Sequence, residues 1–361
     1  MNILIDIGHP AHVHYFRNLY YELIKKHNVL VTTKSVPIIL DLLERYSIPY
    51  INIGEKGKGI SRKFLKQVLF THKLRKIILE NSIDLAMGVS FTTIHASIKT
   101  KCKSLMILDD DISVLTSAAP FALPFMDVGL SPDSLAYEHN SKVVYYPGFQ
   151  ELAYLHPNRY SPSMSVLSRY GIMPAEKYFI LRFNAFKAHH DVGNGGMNIS
   201  QKRSLVNLLK DHGRVYITTE DQIDAEFEHY KLPIEPQEIH DFLYYSEMLV
   251  SDSQTMSSEA AVLGVPSFRC NTFVGKISYL DEEEKRYSLT HSFLPRQFDW
   301  MLEKIREHLL LPDAKKLWRE KRDHMLSGKI DVTTFWVWFI ENYSESLQLT
   351  KRSDFNFEQF K

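Results

Sequence analysis

Three histidines and one aspartate lie within nine residues near the start of the chain: Asp6, His9, His12 and His14. A histidine close to its free pKa can take a proton from a hydroxyl group at neutral pH. We therefore predict that His9 or His12 is a catalytic base held by Asp6. Gly8 permits a tight turn, and Gly8 and His14 are candidate acceptor-binding residues. A metal site is the alternative, but the His-Glu-x-x-His spacing is absent, and we predict no metal.

A run of small hydroxyl and acidic residues, 251–259, contains the second set of candidates. It follows the apolar residues 248–250, which predict a buried strand, and it leads into a short helix at 259–263. Free backbone N–H groups and the positive end of the helix dipole would then stabilise an anion such as a nucleotide phosphate. The predicted nucleotide-binding residues at this point are Ser253, Gln254, Thr255 and Met256.

Glu259 follows Thr255 by about one helical turn, which would place a carboxylate beside the same anion site. There it could accept hydrogen bonds from a ribose diol. An ordinary helix cap explains the same residues equally well, with Ser253 or Thr255 as the N-cap and Glu259 closing a capping box. The residue types alone leave both interpretations open.

Polar residues also follow other predicted strands, where ligands of open α/β sheets collect. Arg182 and Asn184 end the first strand of the second half, and an arginine there can offer two parallel hydrogen bonds to a phosphate. We predict that both bind the nucleotide. Asp109, in a run of three aspartates, is a candidate acceptor contact, with a solvated strand end as the alternative. Residues 218–220 would either flank the nucleotide or cap a helix.

Apolar runs and helical patterns alternate from the first residue onward, which indicates βαβ units and parallel sheets covered by helices on both faces. In the first half the predicted strands are 3–7, 29–32, 50–53, 84–87 and 104–108, with further short strands near 128–130 and 143–146. The predicted helices are 15–26, 37–46, 62–80 and 93–99. A second series runs from a strand at 178–182 to a strand at 267–269. The predicted fold is α/β, with two Rossmann-like, doubly wound parallel-sheet domains facing a cleft.

The alternation of predicted strands and helices is interrupted between the two halves, in a stretch that contains several prolines. We predict an N-terminal Rossmann-like domain at 1–160, a linker at 161–175, a C-terminal nucleotide-sugar-binding domain at 176–330, and a C-terminal helix and tail at 331–361. The aromatic residues 335–339 are expected to pack across the junction between the domains. Contact with a membrane surface is the alternative for that segment.

The composition of the chain limits the classes of protein to which it can belong. The 361 residues are enough for two domains with their own cores. Lys plus Arg and Asp plus Glu both total 43, so no net charge attracts nucleic acid or anionic lipid, and the basic stretches 56–66 and 99–103 are interpreted as solvated faces. Two cysteines are too few for a disulfide scaffold. No segment resembles a membrane span or a signal peptide, so a cytoplasmic location is expected.

The run beginning at Ser251 resembles the nucleotide-binding element of GT-B-type proteins. That group includes the UDP-N-acetylglucosamine 2-epimerases and the N-acetylglucosaminyltransferase of peptidoglycan synthesis. In those relatives a small-residue turn holds the pyrophosphate and a helix glutamate holds the ribose, which implies these roles for Ser253, Thr255 and Glu259. Gln254 departs from the pattern, because relatives usually have glycine there and a side chain would crowd the approach of a pyrophosphate.

The chain is more closely similar to a GT-B-like family, domain of unknown function 354, in three stretches: 6–16, 146–155 and the run that begins at Ser251. The matches are spread across residues 2–290 in the right order. The family has no settled activity, so the resemblance implies the fold and a nucleotide-sugar site. The second stretch includes Glu151, which is a candidate acceptor-binding residue.

Motifs of other enzyme classes are missing, namely the P-loop, the Gly-x-Gly-x-x-Gly fingerprint and the Gly-x-Ser-x-Gly elbow. We predict a metal-independent glycosyltransferase that uses a UDP-sugar as substrate, without another cofactor, in surface polysaccharide or glycoconjugate synthesis. Its predicted partners are the nucleotide-sugar donor and a glycan or lipid-linked acceptor, with no nucleic acid and at most peripheral membrane contact. A UDP-sugar 2-epimerase and a non-catalytic sugar-nucleotide-binding protein are the alternatives.

Overall fold

The chain forms two compact units. The computed structural model describes residues 1–55, 60–109, 111, 119–135, 140–183, 195–219 and 223–361. Unit 1 comprises Met1–Arg159 and Lys329–Lys361, and unit 2 comprises Tyr160–Gly328. Each unit is built on its own parallel sheet with flanking helices, so the architecture is two Rossmann-like α/β domains.

Unit 1 contains a seven-stranded parallel sheet of order β3-β2-β1-β4-β5-β6-β7. Its strands are β1 (Asn2–Ile7), β2 (Asn28–Thr33), β3 (Ile51–Asn52), β4 (Leu85–Gly88), β5 (Lys103–Ile107), β6 (Val128–Pro132) and β7 (Val143–Tyr146). The chain starts in the middle of the sheet, winds to one edge and then returns to build the other. The central strand β1 is buried from Ile3 to Ile7, as expected for a strand covered on both faces.

The helices of unit 1 are α1 (Pro10–Leu23), α2 (Pro37–Arg45), α3 (Ile60–Glu80), α4 (Phe91–Ser97), α5 (Ala119–Ala122) and α6 (Leu152–Leu155), and after unit 2 α14 (Val332–Glu341) and α15 (Glu345–Leu349). Helix α1 begins five residues earlier than the expected start at residue 15, because Pro10 has a backbone angle suited to the first helical position and His9 serves as N-cap. His12 and His14 therefore lie inside the helix.

The aromatic helix α14 belongs to the core of unit 1. Phe335, Trp336 and Phe339 are fully buried. The Trp336 ring contacts the rings of Phe16 and Tyr146 at centroid distances of 6.1 and 6.3 Å. Membrane contact was the alternative interpretation of these aromatic residues. Because the three side chains are buried in unit 1, they are not available for such a contact.

A charged cluster anchors the start of α14 to the last residue of the first pass through unit 1. Asp331 is the N-cap of α14 and accepts from the Thr334 N–H at 3.0 Å. Arg159 donates to Asp331 at 2.7 Å, to Thr334 at 2.6 Å and to Glu22 at 3.2 Å. The residues where the chain leaves unit 1 and returns to it are thus joined directly.

Unit 2 contains a five-stranded parallel sheet of order β12-β11-β10-β8-β9. Its strands are β8 (Tyr178–Phe183), β9 (Arg214–Thr219), β10 (Leu249–Ser251), β11 (Ser267–Cys270) and β12 (Thr290–Phe293). Its helices are α7 (Met164–Arg169), α8 (Ile199–Leu209), α9 (Ile239–Tyr245), α10 (Gln254–Leu263), α11 (Ser278–Lys285), α12 (Phe298–Leu309) and α13 (Ala314–Ser327). Helix α7 lies within the stretch 161–175, for which the sequence predicts a linker.

One apolar cluster fills a face of the unit 2 sheet. It joins side chains of β8, β9, β10 and β11 to α8 and α12. Because side chains alternate along a strand, the intervening residues point to the opposite face. None of the helices in the described parts of the chain combines the length and the apolar character that a membrane span requires.

Candidate functional site

A row of polar side chains crosses the carboxyl end of the unit 2 sheet. Thr218, Arg182, Ser251, Arg269 and Ser292 are register neighbours on five adjacent strands. All five point away from the apolar cluster of that unit, because their chain neighbours belong to it or pack against it. Arg182 donates to Thr218 and Arg269 donates to Ser292, each at 3.1 Å. The sheet therefore presents two guanidinium groups on either side of strand β10.

Hydroxyl groups shape the turn from β10 into α10. Ser251 Oγ accepts from the Ser253 N–H at 2.7 Å. Ser253 is the N-cap, and its Oγ accepts from the Met256 N–H at 3.4 Å. Ser257 Oγ donates back to the Ser253 carbonyl oxygen at 2.7 Å. The small hydroxyl residues of the sequence motif thus have a structural role as well as a candidate binding role.

The first two N–H groups of α10 are the candidate anion donors. The N–H groups of Gln254 and Thr255 have no acceptor within the helix, because they belong to its first turn. Both residues are half-buried, whereas the rest of the helix is buried along its whole length. The helix therefore presents its positive end at Gln254 and Thr255 only.

Helix α10 begins at Gln254, earlier than the predicted helix at 259–263. Gln254 is the first helical residue, a position that needs no left-handed backbone angle, so glycine is not required there for conformational reasons. Met256, predicted to bind the nucleotide, is buried and its N–H already donates to Ser253. The backbone N–H groups of Gln254 and Thr255 would then remain to bind a ligand phosphate.

Glu259 lies beyond the first turn of α10 and is buried. Its Oε1 is 3.0 Å from Nε2 of His240, which is also buried and lies on α9. A capping box is excluded, because Ser253 is the N-cap and the third helical position is Met256. Instead the imidazole holds the carboxylate in one orientation. Nothing in the sequence around His240 indicates this pairing.

Arg269 has a structural role in the same row. Its side chain is fully buried, and burial lowers the pKa of its guanidinium group, while Tyr279, Glu284 and Glu283 oppose that shift. Within the described part of the chain, Nε and Nη1 of Arg269 have no hydrogen-bond partner. The carboxylates of α11 offset its charge, so Arg182, which is only half-buried, is the better candidate for a phosphate contact.

In unit 1, both candidate histidines accept a backbone N–H at Nδ1. His9 caps α1 by accepting from the Ala11 N–H at 3.2 Å, and His12 accepts from the Gly8 N–H at 3.4 Å. The proton of each neutral ring is therefore assigned to Nε2. Nε2 of His12 lies 3.9 Å from Asp109 Oδ2, within ion-pair distance. Asp109 is thus placed to orient the His12 ring.

The prediction that Asp6 holds a histidine is wrong. Asp6 is buried, and its two oxygens accept from Thr32 Oγ1 at 2.9 Å and from Ser90 Oγ at 3.2 Å. Burial raises the pKa of Asp6, and the nearby charge of Lys34 opposes that shift. Asp6 therefore ties three strand ends together, because Thr32 lies on β2 and Ser90 follows β4.

The remaining candidates of unit 1 differ in accessibility. His14 is buried, stacked on Tyr154 at 5.4 Å and 3.5 Å from the Tyr46 hydroxyl oxygen. Glu151 is also buried, at the start of α6. A Cβ added at Gly8 would meet no atom within 4 Å, so packing does not require glycine there.

Some sequence predictions fall outside the described residues. Asn184, Asp110 and Glu220 are among them. Lys34 is a buried cation that the sequence analysis missed, with Nζ 4.8 Å above the Phe70 ring. It directly follows β2, so the rule on carboxyl strand ends could have found it. In the described ranges no three His, Cys, Asp or Glu side chains are grouped so as to hold a metal ion.

Comparison with known proteins agrees with this fold. Residues 1–290 match the family described as protein of unknown function, DUF354. None of the curated proteins compared with the chain is significantly similar to it. Solved structures that are similar over nearly the whole chain share only 10 to 13% of its residues, so they establish the fold.

Three of these solved structures carry nucleotides. MnaA of S. aureus with UDP has a TM-score of 0.67 at 13% identity, covering 98% of this chain and 100% of that one. The UDP-GlcNAc 2-epimerase of Neisseria meningitidis bound to UDP-GlcNAc has a TM-score of 0.58 at 12% identity, covering 89% and 99%. The glycosyltransferase VinC with dTDP has a TM-score of 0.61 at 10% identity, covering 96% and 100%. The fold is therefore that of GT-B enzymes.

Proposed function

Because this chain belongs to the DUF354 family and has the fold of GT-B enzymes, we propose that it is a glycosyltransferase that uses a nucleoside-diphosphate sugar. The donor we propose is a UDP-sugar. The observation on which the proposal rests is the start of α10, where two backbone N–H groups lie at the only half-buried part of an otherwise buried helix. The bound molecules named for the similar structures, UDP, UDP-GlcNAc and dTDP, support the same ligand class.

The phosphates would bind at Gln254 and Thr255. A helix N-terminus attracts negative charge, and Arg182, on the neighbouring strand β8, adds a cation from the sheet. These groups would neutralise the nucleoside diphosphate as it leaves, so the proposed transfer needs no metal ion. Ser253 has a structural role in the turn and is not a proposed ligand contact, because its hydroxyl already caps the helix.

The ribose would bind at Glu259. Its carboxylate is held by His240 and lies on the same helix as the proposed phosphate site. A carboxylate fixed in one orientation can accept hydrogen bonds from the two ribose hydroxyls without an ordering cost at the moment of binding. This arrangement favours a nucleotide over a simple phosphate as the ligand.

The proposed catalytic base is His12, with His9 as the second candidate. Asp109 would hold the Nε2–H of His12 and leave the lone pair of Nδ1 to accept a proton, in competition with the weak bond from Gly8. The base takes the proton of an acceptor hydroxyl, and the acceptor oxygen bonds to the anomeric carbon. The bond from that carbon to the diphosphate breaks, and its electron pair leaves with the phosphate oxygen.

A UDP-sugar 2-epimerase is the second candidate, because several of the similar solved structures are UDP-GlcNAc 2-epimerases. Epimerisation requires paired carboxylates and a base around the sugar, and the full acid set was not identified in the sequence. A non-catalytic sugar-nucleotide-binding protein is the third candidate. The acceptor we propose is a glycan or a lipid-linked sugar of surface polysaccharide synthesis.

Incubation of the purified protein with a panel of nucleotide sugars, with and without glycan acceptors, tests these proposals. Release of UDP that depends on an acceptor is expected for transfer. Formation of a new UDP-sugar without an acceptor would identify an epimerase, and binding without turnover would identify a sensor. Failure to bind any nucleotide or nucleotide sugar would contradict all three, and the Glu259→Gln variant serves as the matched control for the site.

A further inference from the structure

A cavity of about 290 Å³ lies at the amino end of the unit 2 sheet. Its wall includes Lys177, His212 and Glu247, which precede β8, β9 and β10 in that order. The proposed nucleotide site lies at the start of α10, which follows the carboxyl end of β10. The cavity is therefore separate from that site, at the opposite end of the same strand.

Apolar side chains line the inner part of this cavity. Phe179 and Met248 belong to the apolar cluster of unit 2, and Leu309 packs against that cluster. The volume is at the lower end of the range of about 300–1,000 Å³ that is typical of small-molecule sites. It therefore suits a ligand with a single ring better than a nucleotide sugar.

Helix α13 begins at this cavity without a side-chain cap. Its first two residues, Ala314 and Lys315, line the cavity. The N-cap residue Asp313 has a left-handed backbone (φ 53°), is exposed, and accepts no N–H of the helix through its side chain. In the described part of the chain, the N–H groups of Ala314, Lys315 and Lys316 have no acceptor. Three N–H groups and the positive end of a 14-residue helix can therefore bind an anion.

A buried imidazole in the same wall has a nitrogen without a partner. His308 lines the cavity and is 6% exposed. Among the described residues, Nδ1 of its ring has no hydrogen-bond partner. Burial lowers the pKa of His308 to about 4, so the ring is neutral at neutral pH and can carry its proton at Nδ1. A ligand oxygen at that nitrogen would offset the cost of leaving a buried polar group unpaired.

The charges around the cavity include one cation without a carboxylate partner. Nζ of Lys315 and Oε1 of Glu247 form an ion pair at 2.8 Å, so their charges offset each other. Lys177 is exposed, and its amine has no ion-pair partner within the described ranges. The last carbonyl groups of α12 already accept the N–H of the residue that follows the helix. Lys177 and the start of α13 therefore favour an anion in this cavity.

We infer that this cavity binds a small phosphomonoester, with its phosphate at the start of α13 and its apolar body against Phe179, Met248 and Leu309. A phosphate group has three oxygens that accept hydrogen bonds. They match the three backbone N–H groups, Nδ1 of His308 and the amine of Lys177 better than the two oxygens of a carboxylate would. This inference does not depend on the proposed glycosyltransferase activity.

Calorimetric titration of the full chain with phenyl phosphate tests the inference, since this probe joins a phosphate to one apolar ring. We expect it to bind about tenfold more tightly than inorganic phosphate, because the ring buries apolar surface. Excess UDP should not displace it. Ala314→Glu should abolish binding, because the new carboxylate repels the phosphate. The helix should stay stable in this variant, because an acidic side chain is favourable in the first turn.

Lys177→Gln should weaken the binding of phenyl phosphate about threefold, and His308→Phe about fivefold. The matched control is Lys231→Gln, which removes an exposed lysine of unit 2 that does not line the cavity and should bind like the unchanged protein. Melting curves establish that each variant is folded. The inference is overturned if neither phosphate compound binds, if phenyl phosphate binds no more tightly than inorganic phosphate, if UDP displaces it, or if Ala314→Glu binds it unchanged.

Discussion

His240 Nε2 lies 3.0 Å from Glu259 Oε1, and both side chains are buried between α9 and α10 of unit 2. This contact gives the glutamate two roles that the sequence motif did not separate. The carboxylate satisfies a buried imidazole in the free protein, and in the proposed complex it would also accept hydrogen bonds from a ribose. Stability and ligand affinity must therefore be measured separately for any change at Glu259.

Glu259→Ala should lower the free energy of unfolding by about 1–3 kcal/mol, because the buried imidazole of His240 loses a charged acceptor. Glu259→Gln keeps an acceptor oxygen for His240 and should cost less stability, yet it should still weaken UDP binding about tenfold or more because the charged acceptor is lost. Denaturation of the free protein and calorimetric titration with UDP separate the two effects. Unchanged UDP affinity in Glu259→Gln and in Thr255→Ala would remove this site from nucleotide binding.

Gln254→Gly tests whether the unusual glutamine obstructs or assists the ligand. Gln254 is half-buried at the first helical position, so its loss should cost less than about 1 kcal/mol of stability. We expect UDP affinity to stay level or to rise, because backbone N–H groups remain to meet the phosphate. Gln254→Ala is the control for backbone freedom. A lower affinity in both variants would mean that the amide contacts the ligand.

His12→Ala should reduce turnover about 100-fold or more, with little change in UDP affinity, if His12 is the base. Asp109→Asn should reduce turnover less and shift the pH dependence of the rate, because Asp109 orients the ring without taking the proton. His9→Ala should mainly cost about 1 kcal/mol of stability through loss of the α1 cap. Full activity in both histidine variants would exclude this loop from the mechanism.

Unit 2 should lose stability in mild acid because of His308. The ring is buried between Phe268 and Trp318, and burial lowers its pKa from an ordinary value of 6.5 to about 4. The unfolded chain takes up a proton below pH 6.5 while the folded one resists until about pH 4, so stability falls as the pH falls through that window. From about pH 7 to about pH 5 we expect a loss of about 2 kcal/mol from this residue.

His308→Gln, which stays neutral at every pH, should flatten this dependence when urea denaturation is compared at the two pH values. His212→Gln removes an exposed histidine of the same unit and should leave the slope unchanged. His291 has a pKa lowered to about 4 by burial and by the charges of Lys304 and Lys321, so part of the acid sensitivity should survive in His308→Gln. An unchanged slope in His308→Gln would contradict the assignment.

Local patterns in the sequence were sufficient for the two α/β domains and for the hydroxyl-rich turn that leads into α10. Hydrophobic periodicity is a local property, and alternating strands and helices can pack in few ways, so the doubly wound order followed. The hydroxyl run before Glu259 also predicted the turn that Ser253 caps. The misplaced starts of α1 and α10 are local errors, because Pro10 and Gln254 were not recognised as first helical residues.

Only the tertiary structure decided which side chains meet. His240 and Glu259 lie on different helices, and His12 and Asp109 are brought together by two strand ends of one sheet. Asp6 instead accepts from the hydroxyls of Thr32 on β2 and of Ser90 after β4, so the nearest carboxylate in sequence was not the partner of the histidine. Such pairings depend on strand register and on the packing of helices over the sheet, and both arise from contacts between distant residues that no local pattern encodes.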